Sequence, residues 1–150
     1  MKLDRTFRGL IAGALAGVAM NVWNLTDYYF FHISNLRLLD WVAVLTSGAK
    51  SQSFGQATTD LLVQIIWDGS LGIIFAHLLL KITTQGLLVK SILYGTILWF
   101  FFRSVAILFK ITPLIAGQTF PGRLSNLLGA VLWGLLLGAT LKRFDKIPEK

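Results

Sequence analysis

The stretch that decides the fold is residues 87–109, LLVKSILYGTILWFFFRSVAILF. Its length suffices for a helix to cross a hydrocarbon core of about 30 Å, which takes about 20 residues. Arg103 lies inside the part of this stretch that is otherwise apolar, residues 92–109. A charge in hydrocarbon costs at least about 2.5 kcal/mol, so it is normally paired and normally has a purpose. The stretch therefore predicts a membrane-spanning helix with an unusual internal charge.

Three further apolar stretches have the same character. They cover residues 10–31, 61–82 and 124–141. Of the 150 residues, 55% are hydrophobic and 14% are charged, whereas about 25% are charged in ordinary soluble domains. The four stretches fill most of the chain and leave no room for a second domain. The sequence thus predicts one all-α membrane domain over residues 1–150, a four-helix bundle in a cell membrane.

The segment between the first two spans, residues 32–59, is too long for a plain helix connection. Residues 35–46 are largely apolar, with Ser34 or Asn35 available as a helix cap. We expect a short helix that lies in the outer interface, with Trp41 at headgroup level; a re-entrant helix is the less favoured alternative. The connection at residues 83–85 is short and predicts an antiparallel hairpin of the second and third spans.

Basic residues are distributed unevenly between the two sides of these spans. Nine lie on the side of both termini and four on the other, where Arg37, Lys50, Lys110 and Arg123 are found. Because Lys and Arg accumulate in cytoplasmic loops, this excess predicts that both termini are cytoplasmic. The formal net charge of +7 is concentrated at span ends, which favours membrane lipids with anionic headgroups as partners over nucleic acid.

A polar layer is predicted in the outer half of the bundle. Asp68 precedes Lys81 by thirteen residues and Arg103 follows Lys90 by thirteen, so at 1.5 Å per residue both charges lie about 20 Å from the inner surface. We expect them to pair. The amides at similar depth are Asn21, Asn24, Gln64 and Asn126. The preferred interpretation is a hydrogen-bonded network that holds the spans in register, and the alternative is a polar cavity or ion path.

Small residues recur at every fourth position in the first and fourth spans. One seam is formed by Gly9, Gly13 and Gly17, and the other by Ala130, Gly134 and Gly138. Such seams let helix backbones approach closely. The simplest arrangement packs the first span against the fourth within one chain. The rival is contact between chains, since the same motif makes dimers.

Chemical motifs are not evident. Cysteine is absent, which removes thiolate metal sites and cysteine nucleophiles. His32 and His77 lie near opposite ends of their spans and cannot share a metal ion, and no serine has the surroundings of a catalytic nucleophile. The glycine seams lie inside apolar spans and do not form a phosphate-binding loop. We therefore expect no enzyme activity, no cofactor and no metal.

The order of features resembles that of small four-span membrane proteins of Gram-positive bacteria, the YqhR type. The similarity lies in the glycine-rich first span that ends in Tyr28-Tyr29-Phe30, the long outer loop, and residues 92–99, ILYGTILW, followed by a proline-containing connection. The resemblance implies a four-span bacterial membrane protein. It implies no reaction and assigns no role to any residue.

The sequence favours a structural or assembly component that forms a homo-oligomer or binds a membrane-protein partner. The alternative is a small transporter or channel subunit that uses the polar layer around Asp68 and Arg103. A water-accessible cavity that reaches Asp68 would favour transport. A dry network together with a large apolar subunit contact would favour assembly.

Overall fold

The computed structural model describes residues 4–82 and 85–145, and every regular element in these residues is a helix. The all-α prediction is confirmed. The helices are α1 (Arg5–Thr26, extended by the π-helical turn Asp27–Phe31), α2 (Leu38–Ser47), α3 (Phe54–Leu78), α4 (Leu87–Leu108), α5 (Thr112–Ile115) and α6 (Phe120–Asp145).

Four helices are long and apolar enough to cross a membrane: α1 with its extension, α3, α4 and α6. This is the composition of a multi-pass membrane protein. Helix α3 begins well before the predicted residue 61, because Ser53 caps it by accepting a hydrogen bond from the backbone N–H of Gln56 at 3.3 Å. The apolar pattern marks the hydrocarbon-sized part of a helix, whereas the helix itself continues into polar sequence.

Helix α2 occupies most of the segment predicted to be an interfacial helix. It begins at Leu38, and neither predicted cap is used. Instead the Asp40 carboxylate accepts hydrogen bonds from the backbone N–H of Arg37 at 3.1 Å and from its Nη2 at 2.7 Å. This contact raises the pKa of Arg37 above its usual range. Gly48 ends the helix with a φ of 77°, a conformation that glycine adopts without strain.

The four long helices are arranged in the order α3, α1, α6, α4. Helix α1 packs against both α3 and α6, and α6 packs against α4. Between the described residues of α3 and α4 there is no comparable backbone contact. The predicted hairpin of the second and third spans is therefore open: its helices are joined by side chains, with Tyr94 Oη donating to the Leu71 carbonyl at 3.1 Å. Residues 83 and 84 of its connection lie outside the described residues.

The glycine seam of α1 faces α3. A Cβ atom added at Gly9 would lie 2.8 Å from the Gly72 carbonyl oxygen, and one added at Gly13 would lie 2.9 Å from Gly72 Cα. At Gly17 the added atom would lie 2.7 Å from Asp68 Cβ. The prediction that this seam packs against the fourth span is wrong. Helices α1 and α6 do touch, and Gly129 of α6 there faces Met20 and Trp23 of α1.

The second seam faces α4. A Cβ atom added at Gly134 would lie 2.8 Å from Ile92 Cα, and one added at Gly138 would lie 3.0 Å from Ser91 Cβ. Gly95 of α4 completes the contact, since its added Cβ would lie 2.6 Å from the Ala130 carbonyl oxygen. The two seams thus join α1 to α3 and α6 to α4, and both contacts lie within one chain.

Two apolar clusters flank the middle of the bundle. The larger lies towards the side where α1 begins and α6 ends, and it includes Phe75, Trp133 and Leu137. The smaller lies at the opposite side, called the loop side below, where Leu36, Val44, Ala106 and Leu114 connect α2, α4 and α5. The polar residues of the predicted layer fall between these two clusters.

Candidate functional site

Asn24 is the centre of a buried hydrogen-bonded junction at the loop side. Its side chain is 1% exposed. Its Oδ1 accepts a hydrogen bond from the backbone N–H of Leu38 at 2.7 Å, and its Nδ2 donates to Asn126 Oδ1 at 3.3 Å. One amide therefore connects α1 to α6 and to the first residue of α2. This part of the predicted polar network is present.

Asp27 extends the junction by one helical turn and was not predicted to belong to it. Ser125 Oγ donates a hydrogen bond to Asp27 Oδ2 at 2.6 Å, while Trp23 Nε1 donates to the Ser125 carbonyl at 3.2 Å. Asp27 follows Asn24 by three residues, and that spacing places both on one face of a helix. At 1.5 Å per residue Asp27 lies nearer the outer boundary of the membrane than Asn24, yet it is only 1% exposed.

The predicted ion pair between Asp68 and Arg103 does not form in the structure. Arg103 Nη1 instead donates a hydrogen bond to Gln118 Oε1. Asp68 is 5% exposed, and its Oδ2 is buried without a hydrogen-bond partner among the residues that the structure describes. The two charges do lie in one region of the bundle, as their equal depth predicted. Their helices, α3 and α4, are however the two outer helices of the row, and the space between them is open.

That space is a cavity of about 320 Å³. Side chains from α2, α3, α4 and α6 line it, together with Met20 of α1. Four of the six residues of the predicted polar layer line it: Gln64, Asp68, Arg103 and Asn126. The large aromatic members of its wall are Trp41, Trp67, Trp99, Phe102 and Trp133. The cavity is therefore an apolar, aromatic chamber with a few polar groups at defined positions.

Several polar groups of this chamber lack partners. Besides Asp68 Oδ2, Gln64 Oε1 and Trp133 Nε1 are buried without a hydrogen bond to any described residue. Leaving a buried polar group unsatisfied costs about 1–3 kcal/mol, and more for a charged group. Native proteins keep few such groups, and each one calls for a physical explanation.

Asn21 does not line the chamber. Its Nδ2 donates to the Gly17 carbonyl at 2.9 Å, and its Oδ1 is buried without a partner in the described part of the chain. The predicted network of six residues is thus divided. One bond joins Asn24 to Asn126, and Arg103 bonds outside the set. The remaining amides and Asp68 are not joined by hydrogen bonds within the set.

Arg103 has a polar environment that the sequence did not reveal. Its partner Gln118 lies in the connection between α5 and α6, and Gln118 Nε2 is itself buried without a hydrogen bond to the residues described. Arg123 is close enough to interact electrostatically with Arg103. Gln118 lies in a connection without helical periodicity, so the sequence does not show where its side chain points. Only the tertiary structure places it beside Arg103.

The two histidines take part in local contacts. His77 Nε2 hydrogen-bonds with Thr6 Oγ1 at 3.2 Å, which links α3 to α1. His32 Nδ1 contacts the Tyr28 carbonyl oxygen at 3.1 Å, within the end of the first span. Both bonds are structural contacts remote from the chamber.

No protein-family model matches the chain, and neither the curated proteins nor the solved structures contain a significant match. The resemblance to YqhR-type proteins therefore stays a prediction.

Proposed function

We propose that this four-span protein binds a small amphipathic molecule within the membrane, as a carrier or transporter subunit, and that the chamber between α3 and α4 is its site. The observation that carries the proposal is the carboxylate of Asp68. It lines the chamber, is nearly fully buried, and its Oδ2 has no partner among the described residues. An ionisable group inside a membrane is expensive and typically belongs to a binding site or pathway.

The composition of the chamber supports a ligand with an apolar body. Small-molecule sites are concave, mostly apolar and aromatic, and carry a few polar groups that orient the ligand. The chamber has this composition, with tryptophans on its wall and Gln64, Asp68, Arg103 and Asn126 as its polar groups. A purely structural network would satisfy its polar atoms internally, and this one leaves three of them without bonds among the described residues.

The glycine seams no longer support self-association. Both are occupied by contacts within the chain, so neither is a free surface for a second copy. A homo-oligomer or a membrane-protein partner remains a prediction that would have to use another face. We retain the further expectations of membrane lipids as surroundings, cytoplasmic termini and a non-enzymatic role.

Binding of an amphipathic cation tests the proposal. The probe is dodecyltrimethylammonium, added to purified protein in an uncharged detergent. Four of the five tryptophans line the chamber, so occupancy should change the tryptophan fluorescence and raise the melting temperature. Asp68→Asn, which keeps the shape and removes the charge, should weaken binding by about tenfold or more.

Asp60→Asn is the matched control. Asp60 lies on the same helix, two turns before Asp68, and lines a different, loop-side pocket. This variant should bind the probe as the unmodified protein does. Equal affinity in Asp68→Asn and in the unmodified protein would contradict the proposal.

A further inference from the structure

Resting on the proposed function, we infer that the ligand is a zwitterionic amphiphile whose ammonium group binds at Asp68 and whose phosphate binds at Arg103. A phospholipid with an ethanolamine headgroup has this chemistry, and so does water-soluble phosphoethanolamine. The open space between α3 and α4 favours the lipid as the source. The inference goes beyond a cation site because it assigns both charges of the chamber to one ligand.

The chamber carries one negative and one positive side chain. Asp68 and Arg103 line the same chamber and are not paired with each other. A ligand that carried only a cation would satisfy Asp68 and leave the guanidinium with a neutral amide. A ligand that carried only an anion would leave the carboxylate buried and unpaired, which is strongly unfavourable. A molecule with both charges satisfies the two groups at once.

The arginine end of the chamber suits a phosphate. Guanidinium groups match the geometry of phosphate and bind it through two parallel N–H donors. Arg123 adds a second positive charge near Arg103. Gln118 is not among the residues that line the chamber, so it positions the guanidinium by accepting a hydrogen bond from Arg103. These groups favour an anion over a neutral polar ligand.

The carboxylate end suits an ammonium group. The Oδ2 atom of Asp68 is buried beside Gly17 of α1 and accepts no hydrogen bond from the described residues, so no described protein group neutralises the carboxylate that lines the chamber. Tryptophans from α2, α3, α4 and α6 share the chamber wall. Tryptophan rings attract cations through their faces and also pack against methylene groups. Both the charge and the apolar part of an amphiphile therefore find suitable surfaces.

The arrangement of the helices supplies a lateral route for acyl chains. Helices α3 and α4 lack an extended backbone contact in the described part of the chain, and at this level their side chains meet where the Trp67 and Phe102 rings lie 6.2 Å apart. Trp67 is 50% exposed. Rotation of these two side chains would connect the chamber to the surrounding bilayer. A headgroup could then lie inside while its chains remain between α3 and α4.

Native mass spectrometry of the delipidated full chain with defined lipids tests the inference. Three lipids with identical acyl chains are offered in equal amounts: phosphatidylethanolamine, phosphatidylglycerol as the anion-only lipid, and a trimethylammonium-propane lipid as the cation-only lipid. We expect phosphatidylethanolamine to be retained about tenfold over each single-charge lipid. Asp68→Asn and Arg103→Gln should each abolish this preference. The controls Asp60→Asn and Lys110→Gln, which change charges outside the chamber, should preserve it.

The possible outcomes separate this inference from the proposed function. Equal retention of the cation-only lipid and phosphatidylethanolamine, with sensitivity to Asp68→Asn alone, would overturn the zwitterion inference and leave the amphiphile site intact. If Asp68→Asn changes the retention of none of the lipids, both the zwitterion inference and the proposed function are wrong. If soluble phosphoethanolamine competes as strongly as the lipid, the assigned charges stand, and lateral entry of a lipid is wrong.

A further variant keeps the test decisive if either charge variant fails to fold. Val63 lines the chamber from α3 and is 41% exposed, so a larger side chain there enters the open edge without disturbing a packed contact. Val63→Trp should reduce phosphatidylethanolamine retention at an unchanged melting temperature of the ligand-free protein. Full retention in this variant would overturn the inference.

Discussion

Arg103 donates its hydrogen bond to Gln118, fifteen residues further along the chain, and not to Asp68 across the chamber. The guanidinium is thereby held at the loop side by a neutral partner from the α5–α6 connection. Asp68, on the opposite wall, has glycine rather than a cation against it, since Gly17 of α1 abuts its side chain. The two charged residues line one chamber and do not form a helix-to-helix bond.

Removal of the Gln118 amide should destabilise the fold. We expect Gln118→Leu to cost about 1.5–3 kcal/mol, because a charged donor loses its acceptor. The melting temperature in detergent should fall accordingly. Gln52→Leu is the control, since Gln52 is exposed and takes part in its hydrogen bond with Gln56 through its backbone N–H. In an Arg103→Gln background the effect of Gln118→Leu should largely vanish; a fully additive loss would show that the two residues are not coupled.

The glycine contacts should tolerate no side chain. We expect Gly13→Ala and Gly134→Ala each to destabilise the protein by about 1–3 kcal/mol, because the added methyl group meets backbone that cannot move aside. Gly55→Ala is the matched control within a helix, where a Cβ would meet nothing within 4 Å. It should instead stabilise by up to about 1 kcal/mol through helix propensity. Equal changes in melting temperature for all three variants would contradict the close contacts at Gly13 and Gly134.

Asn24 should hold α2 in place over the chamber. We expect Asn24→Leu to release the first turn of α2, because Leu38 loses the acceptor of its backbone N–H. Hydrogen exchange of residues 38–47 should accelerate while exchange in α6 changes less. Asn35→Leu is the comparison, since exposed Asn35 bonds only to the Gly117 carbonyl in the outer connection. Unchanged protection of α2 in Asn24→Leu would show that apolar contacts alone secure it.

The absence of cysteine makes the topology directly measurable. We expect a cysteine at residue 52 (Gln52→Cys) to react with an impermeant maleimide on intact cells. A cysteine at residue 81 (Lys81→Cys) should react only after permeabilisation. The physical reason is the excess of Lys and Arg on the side of both termini. Reaction of Lys81→Cys in intact cells would reverse the predicted orientation.

The spans could be predicted because their signal is local. About 20 consecutive, predominantly apolar residues suffice to identify a helix that crosses a bilayer, and residues 87–109 agree with α4 to within one residue. Those helix termini that lie in polar sequence were harder to predict. Capping by Ser53 and the use of Asp40 at the start of α2 depend on side-chain contacts that several nearby residues could have made.

The candidate site was only partly predictable. Depth counting brought Asp68, Arg103, Gln64 and Asn126 to one level, and the structure places all four on one chamber. Counting along a helix does not give the lateral order of helices, so it could not show that α3 and α4 stand at the two ends of a row. Gln118 was not predicted because it lies in the connection between α5 and α6. Asp27 was not predicted because it lies nearer the outer boundary of the membrane than the polar layer does.

The sequence by itself determined the number of apolar helices, their approximate bounds and the small-residue seams, because these follow from hydrophobic length and from spacing along one helix. The tertiary structure decided which helix each seam meets. It also decided that Asp68 and Arg103 remain apart. The reason is geometric: the seams draw α1 to α3 and α6 to α4, and this close packing separates the helices that carry the two charges. The opening left between them is the chamber that we propose as a ligand site.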